Sequence, residues 1–319
     1  MKSHRRPVAA LVKIIVAAAA VFFAGELVLR VFFPMDVLLY EDSENPLLSF
    51  QLRPGVSGMK NGVEVAVNAQ GLRGEPVPSP RSPGERRVVV VGGHETFGDG
   101  VALERTYVRE LADGLVGRGE GRARTISLSM YSYRLSQKVE LACRRLQGLE
   151  PELAVLQVTE GDGASPRSPL LRFPRFKNWI RERSMLIRWA SERFYLRKTK
   201  GVPIEDFEET RRQLRRFEAC ADAAGARAVV MLLPDFSRPR PAAPSGLRRG
   251  IESVAKEDGL PLLDAAPALE ALSPEDRRIF PSSPLLSPAA HRVIADVLRR
   301  RLKPFLRRPA AAPPRRPDV

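Results

Sequence analysis

The residues of this chain that could do chemistry gather around one short segment. Residues Val88 to Val101 read VVVVGGHETFGDGV, a β-branched run that passes into a glycine-rich turn holding His94 and Glu95. An imidazole at the end of a buried strand can serve as a base, a nucleophile or a metal ligand. Carboxylates that could partner it stand at Glu95, Glu160 and Asp162, all where strands are expected to end. The chain has three histidines, His4, His94 and His291. No ligand spacing of the usual zinc kind accompanies them, so neither a metal nor a cofactor is expected. The plainer reading of His94, a polar residue filling a crevice, is the one we adopt. His291 is expected to pack at the start of the last helix. Asp162 is expected to brace the loop after the third strand, and Asp264 to be structural.

The elements that must position these groups follow from apolar spacing. Short apolar runs at Val88–Val91, Thr125–Leu128, Leu153–Val158, Ala228–Leu233 and Pro261–Asp264 read as five strands. Amphipathic stretches at Tyr107–Val116, Leu135–Leu149, Ile204–Ala224, Ser245–Asp258 and from Ser287 to about Leu302 read as helices. Strands alternating with helices predict an α/β domain, three-layered, with a five-stranded parallel sheet. Ligand crevices in such sheets lie at the carboxyl ends of the strands. Residues 34–86 read as an irregular connector in which Val63–Val67 pairs as an edge strand. Asn68–Gly71 supplies a turn, and Pro76–Pro83 a loop. The two cysteines, Cys143 and Cys220, sit in helical segments and read as small core residues, with a disulfide as the alternative.

The segment around His94 resembles the first block of the SGNH (GDSL) hydrolases, in the form carried by membrane-anchored bacterial members. There Gly-Asp-Ser precedes Phe-Thr-Phe-Gly and a glycine–valine pair; Gly92, Thr96, Phe97, Gly98, Gly100 and Val101 match that frame. The stretch Asn68 to Glu75, NAQGLRGE, is similar to the lead-in of those members, and Glu26 to Arg30, ELVLR, to their membrane-exit segment. The resemblance implies a flavodoxin-like SGNH fold over 87–303 and acyl-ester hydrolysis or acyl transfer as the ancestral chemistry. It also implies where the catalytic groups should stand. The nucleophilic serine falls on His94, with Gly93 replacing its aspartate. The oxyanion glycine falls on Ser129 and the oxyanion asparagine on Gly161. The aspartate and histidine of the last block fall on Ser282 and Leu285; the surviving His291 is not the family's base. No catalytic residue is therefore expected. A docking or binding protein of the envelope is expected, with a rebuilt carbohydrate esterase or O-acyltransferase as the alternative.

Charge and hydropathy suggest where this happens. Residues 1–33 read as a basic stub followed by an apolar helix over 8–33, a single-pass anchor with the remaining chain outside the bacterial inner membrane. A cleavable signal peptide is the rival, since Ala17–Ala20 offers small residues. The net charge is +15. A basic insertion at 163–201 carries much of it: eleven Lys or Arg from Arg167 to Lys200 face Glu182 and Glu192, a net +9. One or two amphipathic helices beside the crevice are expected there. Their partners would be anionic lipid headgroups or acidic envelope polysaccharide through 167–200, together with an envelope protein; nucleic acid is not expected. Residues 304–319 read as a disordered tail.

Overall fold

The computed structural model describes residues 5–32, 36–115, 121–159, 162, 180, 183–190, 207–234, 236, 246–280 and 285–306. The chain divides into two compact units, Met1–Leu38 with Ser168–Lys200, and Leu39–Arg167 with Gly201–Val319.

In the first unit, α1 (Arg5–Phe32) is long and apolar enough over Ala9–Phe32 to cross a membrane. Most of its described side chains are exposed; Glu26 is the buried exception. Residues 185–190 of the basic segment are helical and belong to this unit. The predicted second helix of that segment, its packing beside the crevice and residues 307–319 of the predicted tail lie outside the described residues; residues 304–306, expected to begin that tail, instead end the last helix, where Leu306 is buried.

The second unit holds a parallel sheet of β5 (Glu85–Gly92), β6 (Arg122–Ser129), β7 (Leu153–Thr159), β8 (Arg227–Leu233) and β9 (Leu262–Asp264), in the order β6-β5-β7-β8-β9. This is the flavodoxin-like order, in which the chain starts inside the sheet and winds outwards in both directions. The β-branched run of β5 is fully buried because helices cover both faces. Val89 and Val91 point to the layer of α4 (Leu135–Leu149), α5 (Phe207–Ala223) and α6 (Gly246–Glu257). Val88 and Val90 point to α3 (Tyr107–Ala112), α7 (Ala266–Glu270) and α9 (Pro288–Leu306). Between α7 and α9 lies the single turn α8 (Pro274–Arg277).

Four expectations need correction. The connector contains two separate antiparallel pairs, β1 (Tyr40–Asp42) with β2 (Phe50–Leu52), and β3 (Ser57–Lys60) with β4 (Val63–Ala66). Val63–Ala66 is thus half of a hairpin, not an edge of the main sheet. Asn61 and Gly62 have φ of 47° and 81°, the left-handed pair that a tight hairpin turn needs. Second, β6 runs the full eight residues of β5 because every position finds a partner there, so its polar start at Arg122 to Arg124 is strand despite its composition. Third, Cys143 on α4 and Cys220 on α5 form a disulfide, Cα atoms 5.0 Å apart across a separation of 77 residues. α4 and α5 lie side by side on one sheet face and bring the two together. Helix α3 is also shorter than expected. Its C-cap is Asp113, and Gly114 at φ 72° turns the chain away.

Candidate functional site

The carboxyl end of β5 turns at once into α2 (His94–Phe97). Gly92 permits this: a Cβ there would collide with the Thr96 hydroxyl and the Gln157 amide. Gly98 closes the turn at φ 77°, with Thr106 and Arg73 where a side chain would stand. The lead-in Asn68 to Glu75 serves this loop. Asn68 Oδ1 accepts the Gln70 and Leu72 N–H groups at 2.8 and 3.2 Å, which sets the turn that delivers Arg73. The Arg73 guanidinium donates to the Phe97 and Gly98 carbonyls, both at 2.7 Å, and to the Val101 carbonyl at 2.6 Å. Burial pushes it down to about 10, with Asp99 and Glu104 countering, so it stays charged at neutral pH.

Below the turn lies a sealed polar cluster. Gln157 is fully buried in β7, and its Oε1 accepts the Gly93 N–H at 2.8 Å and the Thr96 hydroxyl at 3.1 Å. The Thr96 oxygen is 2.7 Å from the Tyr107 hydroxyl. The Lys138 ammonium, its side chain only 1% exposed, pairs with Asp162 at 2.6 Å and donates to the Gln157 carbonyl at 3.1 Å. Asp162 also accepts the Thr159 N–H at 2.8 Å. Sequence reasoning missed Lys138, Gln157, Tyr107 and Arg73. The visible signal was a glutamine inside an otherwise apolar strand, and a lysine on the buried face that Leu135, Val139 and Ala142 define.

His94 lies on the open side. Its side chain is 36% exposed and its Nε2 is 3.2 Å from Glu95 Oε1. Asp162 turns away to Lys138 rather than joining this pair. Ser129 is buried, its hydroxyl 2.7 Å from that of Ser127, which donates to the Thr96 carbonyl. A serine at 129 keeps its backbone N–H, so this replacement removes no oxyanion donor. Leu285 packs against Gly100, its methyl 3.4 Å from where a Cβ would stand. Glu160, Gly161 and Ser282 lie outside the described residues.

His291 is 1% exposed, one turn into α9, and its Nδ1 accepts the Tyr107 N–H at 3.0 Å. The ring stacks on Tyr107 with centroids 5.6 Å apart. Burial, helped by the Arg73 charge and by His94, pushes the imidazole down to about 3. It is therefore neutral, with Nδ1 already committed as an acceptor.

Two cavities flank this region. One of about 320 Å³ opens at the carboxyl ends of β7, β8 and β9, where Thr159, Leu233 and Asp264 meet Arg248, Arg277 and Arg278. A larger one of about 520 Å³ runs along the outer edge of β6, beneath Arg73 and Phe97. Among the described residues, no group of three or more His, Cys, Asp or Glu side chains could hold a metal ion.

Strand order and strand-end site together define an α/β domain of the flavodoxin-like class. No family model and no curated protein matches the chain. Among solved structures it is similar to TesA, at 16% identity and a TM-score of 0.47 over 69% of this chain and 99% of that one. It is also similar to the psychrotrophic esterase EstA from Pseudoalteromonas sp., at 14% identity and 0.47 over 70% and 100%. A third likeness is to the lipase/acylhydrolase from Enterococcus faecalis, at 13% identity and 0.46 over 69% and 96%.

Proposed function

We propose that this chain is a membrane-tethered, extracytoplasmic binding protein on an esterase-like α/β scaffold, and that it recognises an acidic or acylated glycan without cleaving it. One observation carries the reading: the charges and acceptors of the cluster below the turn are spent on one another, with the Gln157 Nε2 amide left over as a buried donor. Lys138 is committed to Asp162, Gln157 to Gly93 and Thr96, and His291 to the Tyr107 N–H. Leu285 offers neither a donor nor an acceptor where the resemblance calls for a base. In the strand-end cavity Arg248 is paired with Asp264 and Glu252, and the guanidinium groups of Arg277 and Arg278 donate to backbone carbonyls and bring positive charge that suits an anionic ligand. The Cys143–Cys220 disulfide fits an oxidising compartment, and α1 fits a membrane anchor. An envelope protein docking on the same crevice is consistent with the same features.

A second reading has an observation of its own. At 3.2 Å, His94 and Glu95 are within hydrogen-bond reach, so the pair could draw a proton from a water or a sugar hydroxyl in an envelope esterase or acyltransferase. Incubating the purified chain with aryl acetates, acetylated glycans and a fluorophosphonate probe separates the two. The binding reading expects no turnover and no labelling, with saturable binding of an acidic glycan by calorimetry. Turnover that His94→Ala and Glu95→Gln both abolish would establish the esterase instead.

A further inference from the structure

Glu26 is out of place in an apolar helix. Its neighbours Leu27, Val28 and Val31 are 63%, 49% and 60% exposed, whereas Glu26 is 8% exposed. The distant segment 183–190 covers it. Glu26 accepts hydrogen bonds from the Met185 N–H at 2.8 Å, the Leu186 N–H at 3.0 Å and the Ser184 hydroxyl at 2.9 Å. Ser184 in turn accepts the Ile187 N–H at 3.2 Å. Glu26 and Ser184 together therefore satisfy the first backbone donors of the helical residues 185–190. Arg30, one turn further on, donates to Glu26 at 2.9 Å and to the Arg183 carbonyl at 2.5 Å. Leu186 lies over Gly25, its methyl 3.7 Å from where a Cβ would stand. A chain separation of 158 residues is bridged here by an interlocking polar set.

Depth gives the arrangement its meaning. Glu26 stands six residues before Phe32, the end of the span, or about 9 Å along the helix axis. In an α1 that spans a bilayer this is the outer part of the membrane, within a few residues of the headgroups. A lone carboxylate there is costly, and the donors of 184–186 remove the cost. Ile187 and Trp189, on the segment so held, are 38% and 46% exposed. Tryptophan and basic residues suit that depth.

We propose that residues 183–190 form a second membrane contact, docked on Glu26 and Arg30 of α1 and lying in the outer interface of the bilayer. Ile187 and Trp189 enter it, while Arg183 and Arg188 meet lipid phosphates. The partner is a lipid surface. Two features on the molecule argue for it: continuity with the exposed apolar flank of α1, and a basic segment that complements anionic headgroups. The proposal rests on α1 being an uncleaved membrane helix.

The test uses the full chain with Trp179→Phe, so that Trp189 is the remaining tryptophan, reconstituted in phosphatidylcholine–phosphatidylglycerol vesicles. Shallow brominated lipids should quench Trp189 strongly and aqueous acrylamide weakly. Glu26→Ala and Ser184→Ala should each shift the docked-to-undocked ratio by about fivefold, the equivalent of one lost helix cap. Thermal unfolding of the α/β domain should not change in either variant. Flotation with the vesicles separates the two layers of the reading. A chain that fails to float overturns the anchor itself. A chain that floats with Trp189 open to acrylamide overturns only the second contact. Shielding of Trp189 by soluble polygalacturonate, and not by vesicles, would also overturn it.

Discussion

Two polar groupings share the carboxyl ends of the sheet and behave in opposite ways. The cluster of Lys138, Asp162 and Gln157 is sealed, with side chains 1% and 8% exposed at its ion pair and every carboxylate contact internal. The pair of His94 and Glu95 is open on one side: a third of the imidazole is in solvent, while Glu95 is as buried as Asp162. In a sealed cluster each group fixes another, so its geometry belongs to folding. The half-exposed imidazole of His94 is not held that way and faces the side from which a ligand would come. The contrast assigns a structural role to the first grouping and leaves His94 as the exposed polar group of the turn. The glycines and Arg73 belong with the first grouping in this respect: they shape the turn that carries His94.

That contrast can be broken by substitution. The largest effect should come from Lys138→Met, which strands the Asp162 carboxylate in a dry site and should cost about 3–5 kcal/mol in denaturant unfolding. Adding Asp162→Leu should recover most of the loss, because removing both charges is far less costly than removing one. A Lys138→Met protein of normal stability would mean the cluster is hydrated and the contrast is false. His291 should give a smaller, pH-dependent effect. Its folded value of about 3 lies below the ordinary histidine value, so between about 6.5 and 3 only the unfolded chain takes up the proton. Stability should be complete above about 6.5 and fall as pH drops, by up to about 1.4 kcal/mol per unit from this group. His291→Asn, which can still accept the Tyr107 N–H, should flatten that slope in thermal melts. The smallest effect should be that of His94→Ala on folding, within about 0.5 kcal/mol by denaturant melts. A cost like that of Lys138→Met would place His94 with the sealed group.

Much of this was legible in the residues. The β-branched run of β5 had to be buried on both faces, and the helix Leu135–Leu149 was readable to its ends from its apolar period. Parallel strands followed from the alternation of elements. The hairpin at Asn61–Gly62 could have been read from its dipeptide. The partner of Glu26 could not, because nothing local marks Ser184 as lying beside it.

The sequence by itself determined the element types, the parallel sheet and an apolar segment long enough to span a membrane. These depend on local periodicity and on the chemical nature of single side chains. The tertiary structure alone decided that Asp162 answers Lys138 and not His94, that Cys143 meets Cys220, and that Glu26 caps a helix 158 residues away. Such pairings arise when packing brings distant groups into a medium too dry to leave them alone, and one-dimensional spacing carries no record of that.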